Sequence, residues 1–185
     1  HILQFTWADE KKINQIKNVA EKMGIQYSAF PIIRKPNVPF GSLLTVFTSS
    51  NKIKKYIEKN SIDIIVPRST FPAMMVNQIL AVGKVPFRGF RGKLIFDADG
   101  LPIEERIDFA GLKKGSFQYK LMKATETKML KNADAVITRS QKAIDVHIQN
   151  IGEQHRNKFS VVLNGRDKNK FTKDDSSRTL AREEL

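Results

Sequence analysis

Residues 62–97, IDIIVPRSTFPAMMVNQILAVGKVPFRGFRGKLIFD, contain the pattern that decides the fold. The run Ile62–Val66 is short and β-branched, which predicts a buried parallel strand. Ser69 can cap a helix whose first turn tolerates Pro72 and which ends near Gly83. Lys93–Asp97 predicts the next strand. A strand, a crossover helix and a second strand of these lengths form a βαβ unit, which is right-handed by strong precedent.

The alternation of strands and helices continues on both sides of this unit. Further strands are predicted at Ile2–Thr6, Ile25–Ile33, Asp134–Thr138 and Phe159–Leu163. Further helices are predicted from Asp9 to Gly24, from beyond Gly41 to about Asn60, from Ser116 to Asn132, and from Ser140 onward. The pattern predicts an α/β fold, a Rossmann-like parallel sheet with helices on both faces. Such sheets bind ligands outside the carboxyl ends of their strands.

Two carboxylates follow directly after one of these predicted strands, in Asp97-Ala98-Asp99-Gly100. At a strand end they could accept hydrogen bonds from sugar hydroxyls, or one could take a proton from an attacking hydroxyl. The alternative is a capping turn in which the aspartates bond backbone amides. The position at the carboxyl end of a strand favours the functional interpretation, with Asp97 and Asp99 as candidate catalytic residues.

Three other charged residues, Glu104, Asp108 and Arg68, each have a functional and a structural interpretation. Glu104 and Asp108 lie one turn apart if their segment is helical, so both could face a cleft, or both could be solvated acids at a helix start. Arg68 ends a strand, where it could clamp a phosphate or carboxylate, or pair with Asp97 across adjacent strand ends. The pairing role is the favoured interpretation for Arg68.

The chain carries a formal charge of +13, which favours polyanionic partners such as nucleic acid, anionic lipid or phosphorylated substrates, although basic composition alone could produce it. Lys113–Lys131 has six lysines and one acid, Glu126. We expect Lys120, Lys123, Lys128 and Lys131 to share one face, which could lie against an anionic membrane or simply face solvent. The basic aromatic loop Phe87–Lys93 could stack on single-stranded nucleic acid or be a solvated connection.

Several classes of site are excluded or receive no support from the sequence. The chain has no cysteine, so disulfides and thiolate metal sites are impossible. There is no apolar run of membrane-spanning length, no dinucleotide fingerprint and no phosphate-binding loop. His147 and His155 lack metal-ligand spacing, and no nucleophile–base pair is recognisable. We therefore expect no metal or cofactor, and a cytoplasmic location with peripheral attachment to the inner face of the membrane as an option.

Four segments, in this order, carry a family resemblance: Ile62–Ser69 with Pro72-Ala73, Phe96–Arg106, Asn132–Ser140, and Val161–Asp167 with Lys170-Phe171. Together they resemble the N-terminal domain of glycosyltransferase family 4. The resemblance implies one half of a GT-B architecture, in which this domain holds the acceptor and a C-terminal domain binds the nucleotide-sugar donor. The sequence departs from the family pattern at one functional position. Many members carry a histidine after the fourth strand that contacts the sugar, whereas this chain has Asp97 and Asp99 in the corresponding region.

The resemblance also implies domain limits and site residues. The Rossmann-like domain is expected to span residues 1–171, with a first strand missing before His1. Residues 172–185 would be a linker and the truncated start of the donor domain. Substrate-binding residues are expected at Arg68, Gly100, Glu104, Asn164, Gly165 and Asp167, the last three near the donor. The fragment is expected to be inactive alone.

The implied function is transfer of a sugar from a nucleotide-sugar donor to a hydroxyl acceptor, either a sugar or a lipid-linked acceptor. The pathway would build a glycan, a glycolipid or a cell-surface polysaccharide. Two alternatives stay open: a GT-B sugar-nucleotide epimerase, and a basic nucleic-acid-binding module. Residues beyond Leu185 would distinguish an epimerase from a glycosyltransferase. Nucleic-acid binding that weakens steeply with salt would indicate the second alternative.

Overall fold

The computed structural model describes residues 1–81 and 92–165. Six strands and six α-helices occur in these ranges, with a 3-10 helix before the last strand. The elements are β1 (Ile2–Thr6), α1 (Glu10–Lys22), β2 (Tyr27–Pro31), α2 (Val38–Lys59), β3 (Ile64–Ile65), α3 (Thr70–Ala81), β4 (Lys93–Asp97), α4 (Pro102–Phe109), α5 (Phe117–Asn132), β5 (Ala135–Thr138), α6 (Gln141–Ile151), the 3-10 helix (Glu153–Lys158) and β6 (Phe159–Val161).

All strand pairs in the described ranges are parallel, and the predicted α/β class with a Rossmann-like sheet flanked by helices is confirmed. The strands divide into a two-stranded sheet, β1-β2, and a four-stranded sheet in the order β3-β4-β5-β6. The sequence predicted a single sheet, so the observed division into two sheets differs from the prediction. It arises because β1 and β3 each pair on one edge only within the described ranges.

The four-stranded sheet packs on helices α3, α5 and α6. Its core is a cluster of buried apolar side chains in which residues of β4 and β5 pack against residues of these three helices. Phe96, Met129 and Val136 are at most 1% exposed and lie at its centre. Burial of such side chains is the main force that holds the helices to the sheet. This packing fixes the positions of the strand ends that carry the candidate site.

Side-chain caps start three helices at the predicted residues. Asp9 accepts from the Lys12 amide at 2.8 Å, Ser116 from Tyr119 at 3.2 Å, and Ser140 from Ala143 at 3.2 Å. Each cap satisfies an amide that has no partner inside its helix. The strand limits are also close to the predictions, and Lys93–Asp97 agrees at both ends.

The start of α2 differs from the prediction of a loop through Pro39 and Gly41. The helix begins at Val38, because the Asn37 side chain accepts the Phe40 amide at 3.0 Å and a proline is tolerated in a first turn. Gly41 is inside this helix, where a Cβ would overlap the backbone carbonyl of Ile33. The glycine therefore permits close packing of the helix on the chain that precedes it.

Candidate functional site

The candidate site lies at the carboxyl edge of the four-stranded sheet. Asp97 is the last residue of β4, Arg68 follows β3, and Arg139 follows β5. The backbone joins the first two, since the Asp97 amide donates to the Pro67 carbonyl at 3.0 Å and the Ser69 amide donates to the Asp97 carbonyl at 2.9 Å. Because neighbouring parallel strands end at the same edge, these polar side chains come together.

A tight turn follows β4 and presents the second aspartate. The Asp97 Oδ1 atom accepts the Asp99 amide at 3.0 Å, as in an Asx turn. Asp99 has a φ of 64°, a left-handed conformation that aspartate tolerates better than most residues. This turn agrees with the alternative prediction of a capping turn in which an aspartate bonds a backbone amide. It also holds the Asp99 carboxylate beside two arginines.

Four side chains form what we call the edge cluster: Arg68, Asp97, Asp99 and Arg139. The Asp99 Oδ1 atom accepts from Arg68 Nη2 at 3.0 Å and from Arg139 Nε at 3.2 Å. The Asp97 Oδ2 atom lies 3.5 Å from Arg139 Nη2 and 3.9 Å from Arg68 Nε. The pairing of Arg68 with acids across strand ends agrees with the favoured prediction, and Asp99 is its nearer partner.

The edge cluster retains hydrogen-bonding capacity that faces solvent. The Asp99 side chain is 41% exposed, and its Oδ2 atom makes no hydrogen bond within the described ranges. The Arg68 side chain is 60% exposed, whereas Arg139 is 21% exposed and also donates to the Val162 carbonyl at 3.0 Å. A free carboxylate oxygen beside an exposed guanidinium can bind a ligand that carries both hydroxyl hydrogens and oxygen acceptors.

A buried histidine holds the turn from below. His147, on α6, is 0% exposed, and its Nε2 atom lies 3.1 Å from the Gly100 carbonyl oxygen. A carbonyl only accepts, so Nε2 carries the proton and donates. The contact uses the carbonyl of Gly100, a predicted substrate-binding residue, and ties the turn to the protein interior.

Beside His147, a lysine bridges two acids. Lys123 Nζ donates to Glu104 Oε1 at 2.7 Å and to Glu126 Oε2 at 2.9 Å. Burial alone would lower the pKa of Lys123, but the hydrogen bonds and charges of the two glutamates outweigh it and raise that pKa above its usual value of 10.5. The structure does not bring Glu104 into the edge cluster.

The four lysines predicted to share a membrane-facing surface do not all do so. Lys120, Lys128 and Lys131 are exposed on α5. The structure corrects the grouping of Lys123 with them, because its side chain is only 17% exposed and its ammonium binds the two glutamates. The name basic face is used below for Lys120, Lys128 and Lys131.

The remaining predicted residues either follow β6 or lie outside the described ranges. Asn164 and Gly165 follow β6 and are exposed. Asp167 lies outside the described residues, as do the limits predicted near residue 171 and most of the basic aromatic loop. No described helix is long and apolar enough to cross a bilayer. Residues 1–81 and 92–165 contain no group of three or more histidine and acidic side chains placed to hold a metal ion.

Sequence reasoning missed two residues of this region. Arg139 directly follows the predicted strand Asp134–Thr138, at a carboxyl end where such sheets bind ligands, but the sequence analysis gives it no role. His147 has no predicted partner, because Gly100 lies 47 positions away from it along the chain. A positive residue directly after a strand is the signal that could have identified Arg139. The sequence gives no comparable signal for His147.

The sequence matches no protein-family model and none of the curated proteins. The resemblance to glycosyltransferases therefore remains a prediction from short motifs.

Proposed function

We propose that this chain is the acceptor-side domain of a glycosyltransferase and binds a hydroxyl-bearing acceptor at the edge cluster. The observation that carries the proposal is the Asp99 carboxylate. One of its oxygens is held by Arg68 and Arg139, while Oδ2 makes no hydrogen bond in the described chain. A carboxylate held in this way is oriented before a ligand arrives, which reduces the ordering cost of binding.

Each member of the edge cluster has a distinct role in this proposal. Asp99 Oδ2 accepts a hydrogen bond from an acceptor hydroxyl and is the candidate to receive its proton during attack on the donor. Arg68, with its exposed guanidinium, donates to a neighbouring oxygen of the acceptor. Asp97 and Arg139 orient Asp99. The Asp97 carboxylate accepts from the Asp99 backbone amide, and the Arg139 guanidinium donates to the Asp99 carboxylate.

The donor nucleotide sugar would bind mainly to a second domain, with Asn164, Gly165 and Asp167 facing it across a cleft. That domain would supply most of the charge stabilisation for the departing nucleotide diphosphate. We therefore expect the 185-residue chain to bind acceptor but to transfer no sugar from any nucleotide sugar. Turnover by the purified chain would contradict this division of roles.

A location at the inner face of a membrane is part of the same proposal. The basic face of α5 concentrates three of the positive charges of a chain whose net charge is +13. Such charges attract anionic lipid headgroups without any spanning segment. An enzyme with a lipid-linked acceptor would gain from that placement.

Binding of simple sugars would test the proposed acceptor site. Methyl glycosides of glucose, galactose and N-acetylglucosamine, at millimolar concentrations, would be titrated into isotope-labelled chain while amide chemical shifts are recorded. We expect at least one to shift the amides of Ala98, Asp99 and Gly100. Asp99→Asn should weaken that binding by about tenfold, equivalent to roughly 1.4 kcal/mol.

Asp134→Asn is the matched control, because Asp134 is also an exposed aspartate paired with a cation, Lys93, but it lies at the amino end of β5. It should leave sugar binding unchanged. The proposal fails if none of the glycosides shifts the turn, or if both variants weaken binding equally.

A further inference from the structure

The connection from α4 to α5 carries the two most exposed phenylalanines of the described chain. Phe109, the last residue of α4, is 87% exposed, and Phe117, the first residue of α5, is 79% exposed. Single exposed apolar side chains are ordinary on a protein surface, but two aromatic rings at the ends of one connection mark a candidate binding surface. We call residues 109–117 the α4–α5 loop.

The α4–α5 loop has open space around it. A Cβ atom built on Gly111 or Gly115 would lie more than 4 Å from every described atom outside its own chain neighbours. The amides of Ala110 and Leu112 both donate to the Arg106 carbonyl, at 3.1 and 3.0 Å, so α4 ends in a defined turn. A small molecule or a single nucleic-acid strand binds in a concave pocket or groove, whereas a projecting loop suits a broad, deformable surface.

The α4–α5 loop and the start of α5 are also strongly basic. Between Asp108 and Glu126 the sequence has four lysines and no acid. Lys113 and Lys114 are exposed, and neither forms an ion pair within the part of the chain that the structure describes. Aromatic rings beside uncompensated ammonium groups match an anionic lipid surface, where rings enter the apolar boundary and ammonium groups stay among the headgroups.

Phe117 belongs to the same surface as the basic face of α5. At about 100° per residue, it falls inside the arc of about 80° that contains Lys120, Lys128 and Lys131. Ala124 is exposed in the same arc, and the arc contains no acid. The helix therefore presents an aromatic ring at its first position and cations along the rest of one face, as do helices that lie in the plane of a membrane interface.

Charge complementarity favours a bilayer over the other candidates for this surface. Residues 82–91 carry three cations and no acid, and residues 166–185 carry six cations and five acids, so neither segment offers the negative charge that the lysines require. A second copy of the chain would bring the same lysines together, and like charges across an interface repel. An anionic bilayer supplies negative charge and an apolar layer at once.

We propose that the α4–α5 loop inserts Phe109 and Phe117 into an anionic lipid bilayer, with the neighbouring lysines on the headgroup phosphates. The inference rests on the membrane location in the proposed function and adds the side chains that enter the bilayer. Because α5 ends at Asn132, just before the amino end of β5, its first residue lies toward the carboxyl edge of the sheet. Insertion thus keeps the edge cluster on the membrane side, where a lipid-linked acceptor presents its sugar.

A single tryptophan would report insertion directly. Trp7 is the only tryptophan of the chain, so the variant Trp7→Phe/Phe117→Trp carries one reporter, at the start of α5. Vesicles of phosphatidylcholine and phosphatidylglycerol, with or without bromine atoms on the acyl chains, would be added while fluorescence is recorded. We expect a blue shift in both kinds of vesicle and quenching in the brominated ones. The matched reporter Trp7→Phe/Phe47→Trp, at an exposed position of α2, should show neither change.

Partitioning into the same vesicles measures how much the rings contribute. Phe109→Ser/Phe117→Ser should lower the partition coefficient at least about tenfold, because two rings lose their apolar burial. The control Phe40→Ser/Phe47→Ser removes two exposed rings from α2 and should leave partitioning unchanged. All four phenylalanines are more than half exposed, so we expect both variants to fold, which circular dichroism would verify.

The outcomes separate insertion from the rest of the proposed function. Vesicle binding without quenching of the α5 reporter, equal quenching of both reporters, or equal loss in both serine variants would overturn insertion and leave only electrostatic attachment. Absence of any binding to anionic vesicles would overturn insertion and the membrane location together. None of these measurements involves a sugar, so the acceptor site stands or fails by the glycoside titration alone.

Discussion

His147 Nε2, on α6, donates to the carbonyl oxygen of Gly100, in the turn after β4, at a distance of 3.1 Å. The fully buried side chain of His147 thus holds the turn that carries Asp97 and Asp99, two members of the edge cluster. Stability and the geometry of the candidate site are therefore coupled through one hydrogen bond.

Replacement of His147 by Leu should destabilise the domain and loosen the turn. The change leaves a part-buried carbonyl without its donor. A fully buried unsatisfied group costs about 1–3 kcal/mol, so we expect urea unfolding to show a loss of about 1 kcal/mol, at the lower end of that range. His147→Gln, which can place an amide donor near the same carbonyl, should recover part of the loss. Equal destabilisation by Leu and Gln would show that ring packing, for example against Phe159, outweighs the hydrogen bond.

The bridge formed by Lys123 provides a second test. Lys123→Met would leave Glu126, whose side chain is 3% exposed, as a buried charge without its cation. Breaking a buried ion pair from one side typically costs about 3–5 kcal/mol, so urea unfolding should occur at a clearly lower denaturant concentration. The exposed Lys120 on the same helix is the control, and Lys120→Met should change stability by no more than about 0.5 kcal/mol.

The double variant Lys123→Met/Glu126→Gln separates charge from packing. It removes the uncompensated carboxylate, so it should be more stable than Lys123→Met alone. If the double variant is no more stable, lost packing of the lysine chain is responsible, and the ion bridge contributes little.

The chain's pattern predicted most of the fold but only part of this network. Periodicity identified the strands and helices because local sequence determines which faces are apolar. At about 100° per residue, Lys120, Lys128 and Lys131 fall within about 80° of one another on α5, whereas Lys123 lies about 60° outside that group, towards Glu126. The i,i+3 spacing of Lys123 and Glu126 was visible in the sequence, but the burial that makes the pair important was not.

The candidate site was partly predictable for a similar reason. The strand-end rule selected Arg68 and Asp97 because it depends only on where strands end. The hydrogen bond of His147 depends on how α6 crosses beneath the turn, which the sequence does not specify. The division into two sheets was likewise hidden, since a predicted strand carries no indication of whether both its edges find partners.

Acid titration should detect the Asp134–Lys93 pair. The pKa of Asp134 lies below its usual value of 3.8, first because its carboxylate accepts the Leu94 amide and then because of Lys93. A folded-state pKa below the unfolded value stabilises the protein above the unfolded pKa, and this contribution disappears as pH falls through the folded pKa. Asp134→Asn should therefore lower the Tm by a constant amount at pH 5–7, and the difference should shrink below about pH 4. A difference that persists unchanged at pH 2 would contradict this electrostatic origin.

Unfolding at alkaline pH should reveal the contribution of Lys123 to stability. Its folded-state pKa is raised, so its stabilisation is complete below the unfolded pKa and is lost as pH rises through the folded one. The loss should begin only above about pH 10.5, the usual pKa of a lysine side chain. Unfolding midpoints of wild type and Lys123→Met should differ by a constant amount up to that pH and converge beyond it. Convergence already at pH 8 would place the pKa of Lys123 below its usual value.

The basic face of α5 makes the membrane proposal testable. Each lysine near an anionic surface contributes about 1 kcal/mol, so three together could raise vesicle binding by about two orders of magnitude. The triple variant of Lys120, Lys128 and Lys131 to Glu should lose most co-sedimentation with vesicles that contain anionic lipid. Binding of wild type should fall as salt rises, because the attraction acts only within a Debye length.

The control for this experiment is the triple variant of Lys11, Lys12 and Lys22 to Glu, on the exposed surface of α1. It changes the net charge by the same amount, so a general attraction of the +13 chain to lipid would be reduced equally in both triples. Loss confined to the α5 triple would locate the contact on the basic face. Equal loss in both, or equal sedimentation with neutral and anionic vesicles, would leave these lysines as a solvated surface.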